Sequence, residues 1–105
     1  MPYTRFLRTD HVVTDLKSQT LDEAVVEILR EIAGKNPDLD LQTLTDSVLA
    51  RERMRSTALD NGVALPHAQT DAARRPMVLI GRSKSGLAVS DPLKNPVHLV
   101  FMVLS

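Results

Sequence analysis

Residues 51–69 read RERMRSTALDNGVALPHAQ, and the rest of the chain looks like support for this stretch. Arg51, Arg53 and Arg55 crowd what the preceding pattern makes the end of a helix. Asp60-Asn61-Gly62 is a tripeptide that tolerates positive φ and reverses a chain. The apolar run Val63, Ala64, Leu65 then suits a buried strand, and Pro66 biases Leu65 toward extended geometry while denying His67 a helical approach. His67 is therefore expected at a strand's end.

Upstream of this stretch, Asp40 is placed to N-cap a helix that carries Leu41, Leu44, Val48 and Leu49 inward and runs toward Met54. The negative end of a helix dipole favours arginines in any protein, so a solvated helix end is the plain alternative to an anion site there. Thr20 and Glu23 have capping-box spacing ahead of an earlier helix, and Asp22 adds negative charge at its positive end. Leu21, Ala24, Val25, Ile28, Leu29, Ile32 and Ala33 give that helix one apolar face, with Gly34 as the expected stop. Val12, Val13 and Leu16 suggest a short strand, broken by Ser18 and Gln19.

Downstream, residues 69–76 read as a polar loop and residues 77–82 as a strand. Ser85-Gly86 is expected to turn the chain so that residues 87–89 pair back. Asp91-Pro92 and Asn95-Pro96 punctuate another loop before residues 97–104, VHLVFMVL. That run is apolar without alternation, which predicts a central strand covered on both faces. The fold class expected is α/β, a mixed β-sheet flanked by helices.

With 105 residues, 43% hydrophobic and 25% charged, residues 1–105 are expected to form a single domain. Thirteen basic and thirteen acidic side chains cancel, so no global field attracts nucleic acid or an anionic membrane, and an aromatic content of 3% offers no stacking platform. No cysteine is present, which excludes thiolate chemistry and disulfides. The N-terminal residues hold no apolar stretch long enough for a signal peptide or a membrane span, so a cytoplasmic location is expected. Domains seldom end one residue beyond a central strand. The domain is accordingly expected to lack its C-terminal part, or to have that cover supplied by a partner chain.

His67 is the candidate for chemistry. A neutral imidazole is nucleophilic, titrates near physiological pH and accepts a phosphoryl group reversibly. Arg51, Arg53 and Arg55, the Ser56 and Thr57 hydroxyls and nearby backbone N–H groups are donors suited to phosphate oxygens. A histidine after proline is otherwise an ordinary surface or core residue.

The residues Arg51-Glu52-Arg53-Met54-Arg55-Ser56-Thr57, followed by Asn61-Gly62-Val63-Ala64-Leu65-Pro66-His67-Ala68, add weight to this candidate. They resemble the phosphorylation-site signature of the enzyme IIA domains of the bacterial phosphotransferase system, in the fructose–mannitol and nitrogen-regulatory class. The resemblance covers nearly all of this chain and about the first two-thirds of such a domain. It implies the IIA fold, His67 as the acceptor of a phosphoryl group from the histidine-containing phosphocarrier protein, and Arg51 as the arginine that stabilises it. Arg55, Ser56, Thr57, Asn61 and Gly62 fall in the signature as phosphate-binding or supporting residues. In sugar-transporting members the group passes on to a IIB domain, whereas in nitrogen-type members the phosphorylation state regulates partner proteins such as a transporter or kinase. No cofactor is implied, and self-association into a homo-oligomer stays open.

The sequence also departs from that family. A second active-site histidine of the family falls beyond the strand matched by residues 97–104, past Ser105. His98 sits within that strand and reads as a core or sheet histidine with a satisfied ring, and His11 has no motif around it. Asp60 stands where the family often has glycine, which places a negative charge near the site. Three readings follow: a phosphocarrier, a regulatory domain that binds partners without onward transfer, and a metal site built on His11, His67 and His98. The last ranks lowest, because no short ligand spacing joins the three histidines.

Overall fold

The structure is a computed structural model and describes residues 9–70, 76–90 and 95–105. Among the described residues the order is β1 (Val12–Val13), α1 (Leu21–Lys35), α2 (Leu41–Met54), β2 (Val63–Ala64), β3 (His67–Ala68), β4 (Met77–Leu87) and β5 (Val97–Leu104). Most of the expected loop 69–76, and the Asp91-Pro92 pair, lie outside the described residues.

The strands form one mixed sheet in the order β1-β4-β5-β2, with β3 also on β5. β4 and β5 are antiparallel, whereas β1 runs parallel to β4 and both β2 and β3 run parallel to β5. The α/β expectation and the central place of residues 97–104 both hold.

Helix α1 forms for the reason its sequence suggests. The Thr20 hydroxyl accepts from the Glu23 amide at 3.1 Å, and the Glu23 carboxylate returns to the Thr20 amide at 3.1 Å, completing the capping box. Such a cap contributes about 1 kcal/mol. Gly34 does not end the helix, which runs to Lys35. Asn36 ends it, its side-chain amide donating to the Ile32 carbonyl at 2.8 Å, with Pro37 directly behind. Asp40 caps α2 through the Thr43 amide and hydroxyl, and these bonds hold its carboxyl below the usual value.

The core lies between the helices and one face of the sheet. Val25, Ile28, Leu29 and Ile32 of α1 and Leu44 and Val48 of α2 meet Leu79, Val100, Met102 and Leu104 there. Burying each such large side chain contributes about 1.5–3 kcal/mol. Residues 97–104 are not covered on both faces, contrary to expectation. Leu99 and Phe101 are half-buried and Val103 is 38% exposed, because the described helices pack on the opposite face.

The expected Ser85-Gly86 turn is also absent. β4 continues through it, and four residues, 83–86, face the single His98 of β5 before Leu87 pairs with Val97. Gly86 absorbs this bulge at φ +94°, and its amide donates to the Ser83 hydroxyl at 3.0 Å. Leu87 therefore does not pair back, and Ala88 bridges to Thr20 at the start of α1.

Two outcomes follow from this packing. A Cβ on Gly81 would stand 2.6 Å from Ile28 Cδ1 and 2.9 Å from Leu16 Cδ1, so Gly81→Ala should lose about 1–3 kcal/mol in urea unfolding. Glu27 accepts from the Lys17 and Ser18 amides and from the Ser18 hydroxyl, which stitches the segment before α1 to the helix. Burial pushes the Glu27 carboxyl up, but these bonds outweigh it and hold the group below its ordinary value of 4.5. The stabilisation is present above that pH and is lost as pH falls through the lowered folded-state value. Wild type should thus exceed Glu27→Gln in stability at neutral pH, with the gap closing in unfolding curves recorded below pH 4.5.

Candidate functional site

The site is built on the segment from the end of α2 to β3. The register of that segment on β5 is continuous, since Val63 pairs with Leu99, Ala64 with Val100, His67 with Val103 and Ala68 with Leu104. β2 and β3 are thus one parallel strand interrupted at Leu65-Pro66, where Pro66 has no N–H but its carbonyl still accepts from the Val103 amide at 3.0 Å. His67 opens β3 and is exposed, as expected of a residue at a strand's end, while Ala68 beside it is buried.

The imidazole is oriented by its own backbone. His67 Nδ1 lies 2.9 Å from the Leu65 carbonyl oxygen. A carbonyl only accepts, so this bond assigns the proton to Nδ1 and leaves the lone pair on Nε2. The nitrogen left with an open lone pair is therefore the one that the backbone does not occupy.

Helix α2 packs against β3, and just past the helix end the Thr57 carbonyl accepts from the Leu65 amide, two residues before His67. Arg51 is half-buried and donates from Nη1 to the Arg55 carbonyl at 2.9 Å, closing the helix end, whereas Arg53 and Arg55 are exposed. The Ser56 hydroxyl accepts from the Ala58 amide at 3.2 Å. Ser56 also lines, with Thr20, Glu52 and Arg53, a cleft of about 460 Å³ between the start of α1 and the end of α2. Thr57 is buried and its hydroxyl donates to Glu52 at 2.7 Å.

Asn61 and Gly62 are placed differently. Gly62 has φ +84° and makes the turn before β2, and its carbonyl accepts from the His98 and Leu99 amides. Four strand positions, about 13 Å, separate Val63 from His67. The turn thus lies at the far end of the strand from the imidazole. His98 is exposed rather than part of the core, and its Nδ1 lies 2.9 Å from the Ser83 carbonyl. His11 is buried at the other side of the sheet, next to β1. Among the described residues no group of three His, Cys, Asp or Glu side chains is placed to hold a metal ion, and no helix is long and apolar enough to cross a membrane.

Sequence reasoning passed over Glu52. It is 8% exposed, and both of its oxygens are engaged by Thr57. Its spacing from Val48 and Leu44, four and eight residues back, was the available signal that it continues their buried face.

Residues 5–105 match the model of the family described as "Phosphoenolpyruvate-dependent sugar phosphotransferase system, EIIA 2". The chain belongs to this family. The EIIA chain is 29% identical over 103 residues to the fructose-specific EIIABC component of Bacillus subtilis (strain 168), covering 98% of this chain and 16% of that protein. It is 34% identical over 85 residues to the fructose-specific EIIA component of Haloferax volcanii, covering 78% of this chain and 54% of that one. The EIIA chain thus spans about half or less of the length of these curated relatives. Its fold matches the crystal structure of the nitrogen regulatory protein IIA-Ntr from Neisseria meningitidis, with a TM-score of 0.85 at 23% identity over 99% of this chain and 70% of that chain. It also matches a solved complex of the mannitol enzyme IIA with phosphorylated enzyme IIB from Escherichia coli, with a TM-score of 0.73 at 19% identity over 92% of this chain and 68% of that chain. The mixed sheet with its two described helices is the fold of enzyme IIA domains.

The tautomer inferred for His67 can be read directly. Ring 15N spectra at a pH where His67 is neutral should show Nδ1 protonated and Nε2 of the unprotonated type, and the reverse pattern would contradict the orientation described above.

Proposed function

We propose that this EIIA chain is a phosphocarrier of the phosphotransferase system in which His67 accepts a phosphoryl group from the histidine-containing phosphocarrier protein. The observation that carries the reading is the exposed imidazole whose Nδ1–H is held by the Leu65 carbonyl, leaving Nε2 open. The Nε2 lone pair forms the new N–P bond as the bond from phosphorus to the donor imidazole breaks, and the donor nitrogen keeps that electron pair. No proton has to move. The ring becomes cationic on phosphorylation, and Nδ1–H donating to a carbonyl suits that charge.

The phosphate brings two negative charges or nearly so, and Arg51 is the residue assigned to meet them. One of its five N–H donors is used at the Arg55 carbonyl, which leaves others for oxygen ligands. Arg55 adds a second guanidinium, and the Ser56 hydroxyl supports the loop between them and the strand. In this reading Thr57 supports the site from beneath. Asn61 and Gly62 supply the turn that sets the strand, not direct phosphate contact. Onward transfer to a IIB domain is supported by the likeness to a mannitol enzyme IIA solved with phosphorylated IIB. Donor and acceptor place the reaction in the cytoplasm.

The test is intact mass after incubation with phosphoenolpyruvate, enzyme I and the phosphocarrier protein. Wild type should gain one acid-labile phosphoryl group and His67→Ala none, with its fold retained. Absence of any gain on folded wild type would overturn the reading. A labelled domain that passes nothing to any IIB domain would point instead to a regulatory role.

A further inference from the structure

Glu52 stands at the end of a row of hydrogen bonds that finishes at the reactive imidazole. Its carboxylate is almost fully buried on the last turn of α2. Oε2 accepts from the Thr57 amide at 2.8 Å and Oε1 from the Thr57 hydroxyl at 2.7 Å, so both donors of one residue are captured. The Thr57 carbonyl accepts from the Leu65 amide at 3.3 Å. The Leu65 carbonyl, on the same residue, receives His67 Nδ1–H at 2.9 Å. Beside this row Ala58 bridges Ala64, and the Leu59 amide donates to the Val63 carbonyl at 2.7 Å. Residues 57–59 are thereby zipped onto the strand that leads to His67.

A buried carboxylate is costly unless its oxygens are satisfied, and here the same two donors that satisfy it also fix the backbone of Thr57. The link from Thr57 to Leu65 is the longest in the row at 3.3 Å, so it has the least capacity to hold Leu65 if Thr57 moves. Leu65 itself is 39% exposed, so its side chain is not locked by the core. Pro66, which follows, cannot donate to the ladder. The orientation of the Leu65 carbonyl therefore depends on hydrogen bonds more than on packing.

We propose that Glu52 is a positioning residue for phosphoryl transfer: through Thr57 it orients the Leu65 carbonyl, which holds the proton on His67 Nδ1 and keeps Nε2 available. Glu52 touches neither the phosphoryl group nor the imidazole. This inference rests on His67 as the acceptor, but its first readout does not require phosphorylation.

The experiment compares wild type with Glu52→Ala, Glu52→Gln and Thr57→Val, measuring the His67 tautomer by ring 15N spectra and the initial rate of phosphorylation by the phosphocarrier protein. Glu52→Ala releases both Thr57 donors. It should give a detectable population protonated on Nε2 and slow acceptance by about tenfold or more, the scale of loss expected from a displaced reacting group. In Glu52→Gln the amide oxygen still accepts from the Thr57 amide and the NH₂ group donates to the hydroxyl, which turns to accept. Tautomer and rate should then stay within about twofold of wild type. Thr57→Val keeps the amide bond and loses the hydroxyl bond, so it should fall between the two.

A Glu52→Ala protein that melts earlier but keeps the wild-type tautomer and rate would overturn the proposal and leave Glu52 with a stabilising role alone. A shifted tautomer with an unchanged rate would overturn it too, as would Glu52→Gln behaving like Glu52→Ala. Should Glu52→Ala fail to fold, wild-type tautomer and rate in Thr57→Val would overturn it equally. If folded wild type takes up no phosphoryl group, the phosphocarrier reading falls, and the tautomer comparison alone then decides whether Glu52 governs the imidazole.

Discussion

The parallel pairing of residues 63–68 with β5 is the constraint from which the position of His67 follows. Two strands in parallel register share evenly spaced, slanted hydrogen bonds, and the pairing tolerates one interruption when the flanking bonds persist. Here the interruption is Leu65-Pro66, and the register on either side of it is the same. The proline withholds an N–H where the strand would otherwise be regular, and the Leu65 carbonyl before it accepts from the His67 ring. Ala68, immediately after, returns to the core and pairs with Leu104. An irregular residue pair held between two regular ones thus presents a rigid side chain at the surface without a long loop.

The end of α2 meets two demands at once. Four carbonyls at a helix C-terminus lack intrahelical partners, and the dipole there is negative. Arg51 satisfies part of that need by bonding the Arg55 carbonyl. The same guanidinium is the one assigned to a phosphoryl group on His67. The proposed chemical role and the structural one would draw on one cation, so the plain reading of a helix-end arginine and the functional one do not exclude each other. With an overall formal charge of +0, the chain relies on such local placement of charge and not on a general field.

The features visible in the sequence were those with local causes. The capping box at Thr20, the Asp40 cap, the apolar stripe of α1 and the φ-positive turn at Gly62 are each decided within four residues, and all appear as expected. The errors arose where a competing local signal or a tertiary contact decided the outcome. Gly34 was passed over as a stop because Asn36 caps the helix with its side chain and Pro37 follows. The Ser85-Gly86 turn became a bulge because β5 continues to pair with Leu87 beyond it. The apolar run of β5 gave no sign of which face the helices take, since its residues are hydrophobic at both parities. Glu52 escaped notice because its neighbours Arg51 and Arg53 read as a solvated helix end, which masked its place on the face of Leu44 and Val48, and its bonds to Thr57 satisfy the carboxylate there.

The bulge in β4 has a bearing on solubility. Among the described residues β1 pairs with Ile80 and Gly81, and the segment before α1 meets the same flank of β4 at the Arg82 carbonyl and again at Ala88, so that residues 83–87 lie between these two contacts. A flat stretch of strand left between such contacts is a template on which a second polypeptide can add. The extra residues at 83–86 and the left-handed backbone at Gly86 twist that flank out of line. Pro96 and His98 crowd the same point, where a Cβ on Gly86 would come within 2.9 Å of Pro96 Cβ. The local distortion that spoils the regularity of the strand also denies an intruding chain an even row of partners, so the sheet carries its own guard against aggregation.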